Sequence, residues 1–107
     1  MALPQISVDE LAQRLDAGAL VLDVRQPDEY VAGHIPGARH VPLQEVPDRL
    51  HELPTDQEVL VVCRSGSRSL VATEFLVANG RRAVNVAGGT LAWVESGRDV
   101  VVGESPA

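Results

Sequence analysis

Apolar positions along the chain alternate between helical stripes and short continuous runs. Residues 6–18 carry apolar side chains at the spacing i, i+3, i+4, i+7, which predicts a helix. Ser7 is predicted as its N-cap, in a capping box with Glu10, and Gly18 as the residue that ends it. Residues 19–24 (ALVLDV) form a short apolar run, which indicates a strand buried on both faces. Residues 58–62 (EVLVV) are the strongest strand prediction in the chain.

The second half of the chain continues this alternation. Residues 67–79 form a helical pattern, and the pair Asn79–Gly80 predicts its end. Residues 82–87 (RAVNVA) are predicted as a last strand, and residues 88–97 as a closing helix bounded by glycines. Residues 104–107 are expected to form a frayed tail.

Weaker patterns lie between the two apolar runs. Residues 25–38 are rich in turn residues and are expected to hold one helical turn after Pro27. Residues 38–43 are predicted as a strand that ends at Pro42. Residues 43–53 are predicted as a short helix with Pro47 in its first turn.

The order of these elements predicts the fold class. Strands and helices alternate through short connections, an order typical of a parallel sheet with helices on both faces. We therefore expect a three-layer α/β fold, with about five mostly parallel strands. The chain has 107 residues, enough for one core, and residues 1–107 are predicted as a single domain with its core at about 5–100.

Composition narrows the possible functions. The formal net charge is −6, which disfavours binding to nucleic acid. All nine basic residues are arginines, so chemistry that depends on a lysine is excluded. A single cysteine cannot form a disulfide within the chain, and three scattered histidines do not suggest a metal site. We expect no cofactor and no membrane span, and, because no signal peptide is visible, a cytoplasmic protein.

The single cysteine, Cys63, has the surroundings of a reactive thiol. It follows the best predicted strand and directly precedes a helix, at the sheet edge where α/β proteins bind ligands. Unpaired N–H groups at a helix start, together with nearby arginines, favour the thiolate, so we expect a Cys63 pKa below the free value of about 8.5. A buried structural cysteine is the alternative, which the loop composition disfavours. The loop is predicted to cradle an anion and consists of Arg64, Ser65, Gly66, Ser67 and Arg68.

Two details of this loop refine the prediction. Gly66 can adopt the positive φ that a tight turn requires, and one of the hydroxyls of Ser65, Ser67 and Ser69 is expected to cap the following helix. Four residues separate Cys63 from Arg68, one fewer than in the C-x5-R loop of cysteine phosphatases. The smaller ring suits a persulfide sulfur better than a phosphate, so a phosphatase is disfavoured.

Three segments resemble the rhodanese family in its single-domain form. LVLDVRQPDEYVAGHIPGARHVP is similar to the family's D-V-R…E-Y…G-H-I-P-G-A signature. VVCRSGSRS resembles its active loop, and VNVAGGTLAWVESG resembles its closing G-G…A-W…G. They follow in the family's order from residue 20 to residue 97. The resemblance implies the parallel sheet expected above and sulfurtransferase activity of the thiosulfate sulfurtransferase type.

The resemblance also implies a mechanism. Cys63 would take the outer sulfur of a small anionic donor such as thiosulfate as a persulfide and pass it to an external thiol, a protein cysteine or cyanide. Backbone N–H groups of residues 64–68 would hold the sulfur, and the side chains of Arg64 and Arg68 would attract the donor. The alternative is a sulfur-relay or regulatory module that works with a protein partner and turns over small molecules slowly.

Other polar residues are assigned structural roles. Arg25 is expected to form a brace beneath the loop with either Asp23 or Glu29, because a buried arginine needs a carboxylate partner. His34 is interpreted as a hydrogen-bonding residue that stabilises a turn, and Trp93 as a packing residue under the last helix.

Overall fold

The computed structural model describes residues 3–107, so the first two residues of the predicted domain lie outside it. It contains five strands, four α-helices and two short 3₁₀ helices in these residues. In chain order they are β1 Gln5–Ile6, α1 Val8–Asp16, β2 Leu20–Asp23, α2 Pro27–Ala32, β3 Arg39–His40, the 3₁₀ helices Leu43–Glu45 and Leu50–Glu52, β4 Glu58–Val62, α3 Ser67–Ala78, β5 Arg82–Val86 and α4 Gly89–Glu95.

The strands form one parallel sheet in the order β1-β5-β4-β2-β3. β4 lies at the centre, where Val61 pairs with Leu22 of β2 on one side and with Asn85 of β5 on the other. Helices cover both faces of the sheet, which confirms the predicted three-layer α/β fold. Because all strands are parallel, their carboxyl ends lie at one edge of the sheet.

Two apolar clusters, one on each face, make up the core. The side chains of β4 alternate between them, so Leu60 and Val62 enter one cluster while Val59 and Val61 enter the other. All four are fully buried, as the continuous apolar run predicts for a central parallel strand. Burying these valines and leucines is the main source of stability for a chain with few aromatic residues.

The first helix begins as predicted, although its capping box is only half formed. Ser7 is the N-cap, and its hydroxyl accepts a hydrogen bond from the backbone N–H of Glu10. The Glu10 carboxylate pairs with Arg14 one turn later, at (i, i+4) spacing, which is the favourable order for a helical ion pair. Gly18 has φ +89° just after the last turn, as expected of a residue that ends a helix.

Residues 43–53 differ from the single short helix predicted for them. Two 3₁₀ helices, Leu43–Glu45 and Leu50–Glu52, lie on either side of Pro47. The predicted helix is therefore wrong. Proline has no N–H to donate, and most backbone bonds here run from residue i+3 to residue i, as from Val46 to Leu43. A single bond of the α-helical type, from Arg49 to Glu45, does not extend into a continuous helix.

The C-terminal segment lies against the turn that precedes β3. Val101 pairs with His34 in an isolated antiparallel bridge. Although the sequence predicts a frayed tail, the carbonyls of Ser105 and Pro106 lie at hydrogen-bonding distance from His34 Nε2 and from the N–H of Gly37, at 2.9 and 2.8 Å. These polar contacts hold the tail in place although few of its side chains are apolar.

His34 and Trp93 occupy the structural positions predicted for them. The His34 ring is fully buried, stacks on Tyr30 with 3.7 Å between ring centroids, and contacts the Tyr30 carbonyl through Nδ1 at 2.8 Å. Trp93 belongs to the core, and its Nε1–H donates to the carbonyl of Asp99 at 2.8 Å. Both rings are therefore used to attach neighbouring segments to the domain.

Candidate active site

Cys63 follows β4 directly and is buried, with 1% of its surface exposed. The central strand places the thiol at the carboxyl edge of the sheet, where the predicted anion-binding loop begins. The chain turns sharply at Gly66, which has φ +108°, and α3 starts at the next residue. Gly66 is thus the N-cap of α3, and no side chain caps this helix, so the predicted serine cap is wrong.

The loop directs hydrogen-bond donors at the sulfur. The backbone N–H of Gly66 lies 3.0 Å from Cys63 Sγ, and the hydroxyl of Ser69 lies 3.3 Å from it. Ser69 is fully buried in the first turn of α3, so water does not compete for this contact. Sulfur contacts of this kind are stronger when the acceptor is charged, and they therefore favour the thiolate.

Burial and hydrogen bonding act in opposite directions on the pKa of Cys63. Burial raises the pKa, while hydrogen bonds from the Ser69 hydroxyl and from the N–H groups of Ser69, Gly66 and Ser65 lower it. The hydrogen bonds prevail, and the pKa lies below the ordinary value of 9.0. This confirms the predicted direction and the predicted contribution of the backbone N–H groups. The largest contribution that lowers the pKa is the Ser69 hydroxyl, which was not predicted, and no arginine is among the main contributions.

Helix α4 holds the back of the loop. The N–H groups of Thr90 and Leu91 donate to the carbonyls of Cys63 and Arg64 at 2.8 and 2.9 Å. Such an approach requires Gly89, because a Cβ there would lie 2.4 Å from the Cys63 carbonyl oxygen. The carbonyls of Cys63 and Arg64 are thus bound to α4. The N–H of Gly66, later in the same loop, points at the sulfur.

Ser69 and Asn85 form a buried polar network that the sequence analysis missed. The single proton of the Ser69 hydroxyl is shared between two acceptors, Cys63 Sγ at 3.3 Å and Asn85 Oδ1 at 2.5 Å. Asn85 Nδ2 in turn donates to Gln5 Oε1 at 2.9 Å and to the Gly66 carbonyl at 3.4 Å. Asn85 thus links β5 to both the hydroxyl beside the sulfur and the turn of the loop. A polar residue within an otherwise apolar strand is the signal that identifies such a position, since a buried amide requires partners.

The two loop arginines have different environments. Both terminal nitrogens of Arg68 bind the carboxylate of Glu29, at 2.7 and 2.8 Å. This pairing lowers the pKa of Glu29 to about 2. Arg64 is exposed and has no ion-pair partner among residues 3–107. The free positive charge of the loop is therefore that of Arg64.

A second arginine–carboxylate pair lies beneath the loop. Arg25 binds both carboxylate oxygens of Asp23, with the closest contact at 2.8 Å, and also donates to the Gly33 carbonyl at 2.9 Å. Asp23 is fully buried and Arg25 is 5% exposed. Of the two partners considered for Arg25, the structure selects Asp23, while Glu29 pairs with Arg68 instead.

Residues 3–107 contain neither a cluster of metal ligands nor a membrane-spanning helix. No group of three or more His, Cys, Asp or Glu residues within residues 3–107 is arranged to hold a metal ion. In the same range, no helix has both the length and the apolar character needed to cross a bilayer.

Comparisons with known proteins identify the family of this chain. The model of the family described as "Rhodanese-like domain" matches residues 7–96. A protein named "Sulfurtransferase" from Allochromatium vinosum is 38% identical over 103 residues, 94% of this chain and 96% of that protein. A "Thiosulfate sulfurtransferase GlpE" from Pseudomonas putida is 40% identical over 84 residues, 78% of this chain and 76% of that protein. A solved rhodanese-like domain protein from Staphylococcus aureus superposes with a TM-score of 0.87 at 35% identity, over 95% of this chain and 100% of that one.

Proposed function

The chain belongs to the family of rhodanese-like domains, and on that premise we propose that it is a sulfurtransferase that carries sulfur on Cys63. The observation that carries the proposal is the set of donors around Sγ, namely the Gly66 N–H at 3.0 Å and the Ser69 hydroxyl at 3.3 Å. A thiolate held in this way is a ready nucleophile and needs no separate general base.

In the first half-reaction the Cys63 thiolate attacks the outer sulfur of thiosulfate. A bond forms between Sγ and that sulfur, the S–S bond of the donor breaks, and sulfite leaves with the electron pair. The product is a Cys63 persulfide anion, whose outer sulfur carries the negative charge. The N–H groups of residues 64–68, together with the positive end of α3, are the donors proposed to stabilise it.

Arg64 and Arg68 contribute in different ways. The exposed guanidinium of Arg64 is proposed to attract and orient the anionic donor. Arg68 is already bound to Glu29 at both terminal nitrogens, so its direct effect on an anion is weakened. We propose that Arg68 chiefly holds the loop against α2 and adds only a small share of the attraction.

In the second half-reaction an external acceptor removes the sulfur. The chain has one cysteine and hence no internal thiol that could do so. A thiol, a protein cysteine or cyanide attacks the outer sulfur, and the electron pair returns to Cys63 Sγ. The cytoplasm, which we propose as the site of action, supplies reduced thiols.

Sulfur transfer is tested by steady-state kinetics with thiosulfate and cyanide. We expect thiocyanate to form with ping-pong kinetics, because donor and acceptor react with the protein in turn. Cys63→Ser should form none. Thiocyanate formation by the Cys63→Ser protein, or none by the unsubstituted protein with any donor, would contradict the proposal.

The same assay distinguishes an enzyme from a relay module. An enzyme should release sulfite rapidly from thiosulfate when acceptor is present. A relay module should load sulfur from a persulfidated partner protein but react slowly with thiosulfate, so the ratio of the two loading rates decides between them.

A further inference from the structure

The hydroxyl of Ser69 has one proton and two acceptors. Its oxygen lies 3.3 Å from Cys63 Sγ and 2.5 Å from Asn85 Oδ1. A hydroxyl has a single O–H, so it can point directly at only one of these atoms at a time. The acceptor that holds the proton therefore decides how strongly the hydroxyl stabilises the sulfur.

Neighbouring groups fix the orientation of the Asn85 amide. Asn85 is 1% exposed, and its Nδ2 lies 2.9 Å from Gln5 Oε1 and 3.4 Å from the Gly66 carbonyl. A backbone carbonyl can only accept a hydrogen bond, so the amide must turn its NH₂ group towards Gly66. Oδ1 then faces Ser69, and the hydroxyl must be the donor, because Oδ1 has no hydrogen of its own.

The two acceptors differ in strength, and only one of them changes. An amide oxygen accepts well from a hydroxyl, and 2.5 Å lies at the short end of the range for O–H···O bonds. A neutral sulfur is a weak acceptor, whereas a thiolate forms a charge-assisted hydrogen bond. We therefore expect the Ser69 proton at Asn85 when Sγ is neutral and at Sγ when Sγ is charged.

The charge on Sγ changes during sulfur transfer, and the catalytic role inferred here rests on that proposed function. In the free thiolate the negative charge is on Sγ. In the persulfide it is on the outer sulfur, and it returns to Sγ with the electron pair when an acceptor removes that sulfur. A buried hydroxyl with Sγ as its only acceptor would lose a strong partner each time the persulfide forms.

We infer that Asn85 is a positioning residue for sulfur transfer and that it acts through Ser69. Its side-chain oxygen holds the hydroxyl while Sγ is neutral and releases it when charge returns to Sγ. The O–H only rotates about the Cβ–Oγ bond, so no bond to hydrogen breaks. Because the thiolate competes with Asn85 for the proton, Asn85 limits the stabilisation of the thiolate and keeps the sulfur more nucleophilic.

Asn85→Leu removes the acceptor and keeps the volume of the side chain similar. The sulfur is then the remaining partner of the Ser69 hydroxyl, so the pKa of Cys63 should fall, whereas Ser69→Ala should raise it. At a pH below the midpoint, we expect the thiolate fraction, measured by ultraviolet absorbance, to rise about threefold. A midpoint that is unchanged or raised would overturn the inference.

A double substitution separates the shared proton from a distortion of the loop. Ser69→Ala has no hydroxyl proton to share, so adding Asn85→Leu should leave its midpoint unchanged. The matched control is Gln5→Ala, which removes the closest partner of Asn85 Nδ2 but keeps Oδ1, and its midpoint should equal that of the unsubstituted protein. A lowered midpoint in either of these proteins would show that Asn85 does not act through the Ser69 proton.

The unsubstituted protein provides a test that does not depend on the folding of a variant. When Cys63 ionises, the Asn85 side-chain carbonyl should lose its hydrogen bond, so its carbon signal in NMR spectra should shift with the midpoint of the thiolate absorbance. Asn79 is the internal control, because its amide donates to the Phe75 carbonyl at the end of α3. A constant Asn85 signal, or an equal shift at Asn79, would contradict the inference.

Other titratable groups near the site are controlled with Cys63→Ser. The charged and titratable side chains around the site are those of Asp23, Arg25, Glu29, Tyr30, His34, His40, Arg64 and Arg68. They remain in Cys63→Ser, so the Asn85 signal should not titrate in that protein. The same titration with and without the thiol would assign the shift to one of these groups and overturn the inference.

Loading with sulfur distinguishes this inference from the proposed function. Intact mass is measured first, on protein treated with thiosulfate. If Cys63 carries sulfur, the Asn85 signal above the midpoint should take the position of the thiol form, and a thiolate-like position would overturn the inference. If Cys63 takes up no sulfur, the proposed function fails, and the pH titration still decides whether Asn85 and the sulfur compete for the Ser69 proton.

Discussion

Two neighbouring strands end at the same edge of the sheet, and their polar groups are used in different ways. After β2, the charges of Asp23 and Arg25 neutralise each other in a buried pair. After β4, the Gly66 N–H and the Ser69 hydroxyl point at the sulfur of Cys63, and within residues 3–107 no arginine donates a hydrogen bond to it. The charges at the end of β2 are therefore paired within the protein, whereas the end of β4 is arranged around a sulfur atom whose charge can change.

This difference shows that, in this small domain, one strand end has a structural role and its neighbour has a chemical role. A buried ion pair adds little net stability but is costly to break, so it fixes the position of the chain beneath the site. Backbone donors, by contrast, adapt to a thiolate or a persulfide without any change of charge in the protein. Four predictions follow the comparison from the largest expected effect to the smallest.

Breaking the buried pair should have the largest effect on stability. Asp23→Asn leaves Arg25 buried without a counter-charge, and we expect the free energy of unfolding to fall by about 3–5 kcal/mol in urea denaturation. The matched substitution in the half-exposed pair, Glu29→Gln, should cost at most about 1 kcal/mol.

A double substitution controls for an Asp23→Asn protein that does not fold. Asp23→Asn combined with Arg25→Met removes both buried charges, and it should recover part of the lost stability. Equal losses for Asp23→Asn and Glu29→Gln would contradict the contrast between a buried and a half-exposed pair.

Gly89→Ala tests how α4 holds the cysteine loop. The new Cβ would lie 2.4 Å from the Cys63 carbonyl oxygen, on a backbone with φ +56°, so the loop and α4 must separate. We expect a loss of about 2–3 kcal/mol in unfolding and slower uptake of sulfur from thiosulfate.

The control for this substitution is Gly97→Ala. Gly97 has φ +87° but no atom within 4 Å of a new Cβ, so only the backbone strain of about 1 kcal/mol is added. If both alanine variants take up sulfur at the same rate, the close contact between α4 and the loop does not affect the reactivity of Cys63.

Ser69→Ala sharpens the role of the buried hydroxyl. Without its hydrogen bond the thiolate is less favoured, so the pKa of Cys63 should rise and alkylation by iodoacetamide at pH 7 should slow by about tenfold. The alkylation rate is measured as a function of pH, and the midpoint of this curve gives the apparent pKa of Cys63. A purely structural role of Ser69 would not change this midpoint.

Ser67→Ala is the matched control for this prediction. It removes an exposed hydroxyl one residue after the turn, and no hydrogen bond of that hydroxyl contributes to the pKa of Cys63. Its midpoint should equal that of the unsubstituted protein. If the midpoint for Ser69→Ala does not change, the backbone N–H groups alone are sufficient to lower the pKa of Cys63, and the prediction is wrong.

Acid should reveal a small contribution from the pair between Arg68 and Glu29. The pKa of Glu29 is lowered to about 2 from its ordinary 4.5. A lowered pKa gives stability that is present above the unfolded value and is lost as the pH falls from about 4.5 towards 2. Because the pair is partly exposed, we expect a difference of about 1 kcal/mol between the native protein and Glu29→Gln, which disappears at the lower pH.

The sequence was sufficient for the features that depend on local pattern. The buried strands, α3 and the position of Cys63 at a strand end follow from short apolar runs and from the residues that terminate them. The glycine at the turn of the loop was also identifiable, because few other residues adopt φ +108°.

The features that depend on distant residues could not be predicted. Gln5–Ile6 is a strand only because it pairs with the end of β5. Ser69 lies beside the sulfur because α3 starts one residue after Gly66, and Asn85 reaches it from another strand. In the same way, Arg68 pairs with Glu29 because α2 packs against the loop, which the sequence alone does not show.

The central claim is that the loop after β4 makes Cys63 a carrier of sulfur, and intact mass spectrometry tests it most directly. The native protein and Cys63→Ser are incubated with thiosulfate, freed of excess donor and measured. The account predicts that the native protein gains the mass of one sulfur atom, that a thiol removes it, and that Cys63→Ser gains nothing. A native protein that stays at its original mass, or the same gain in Cys63→Ser, would contradict it.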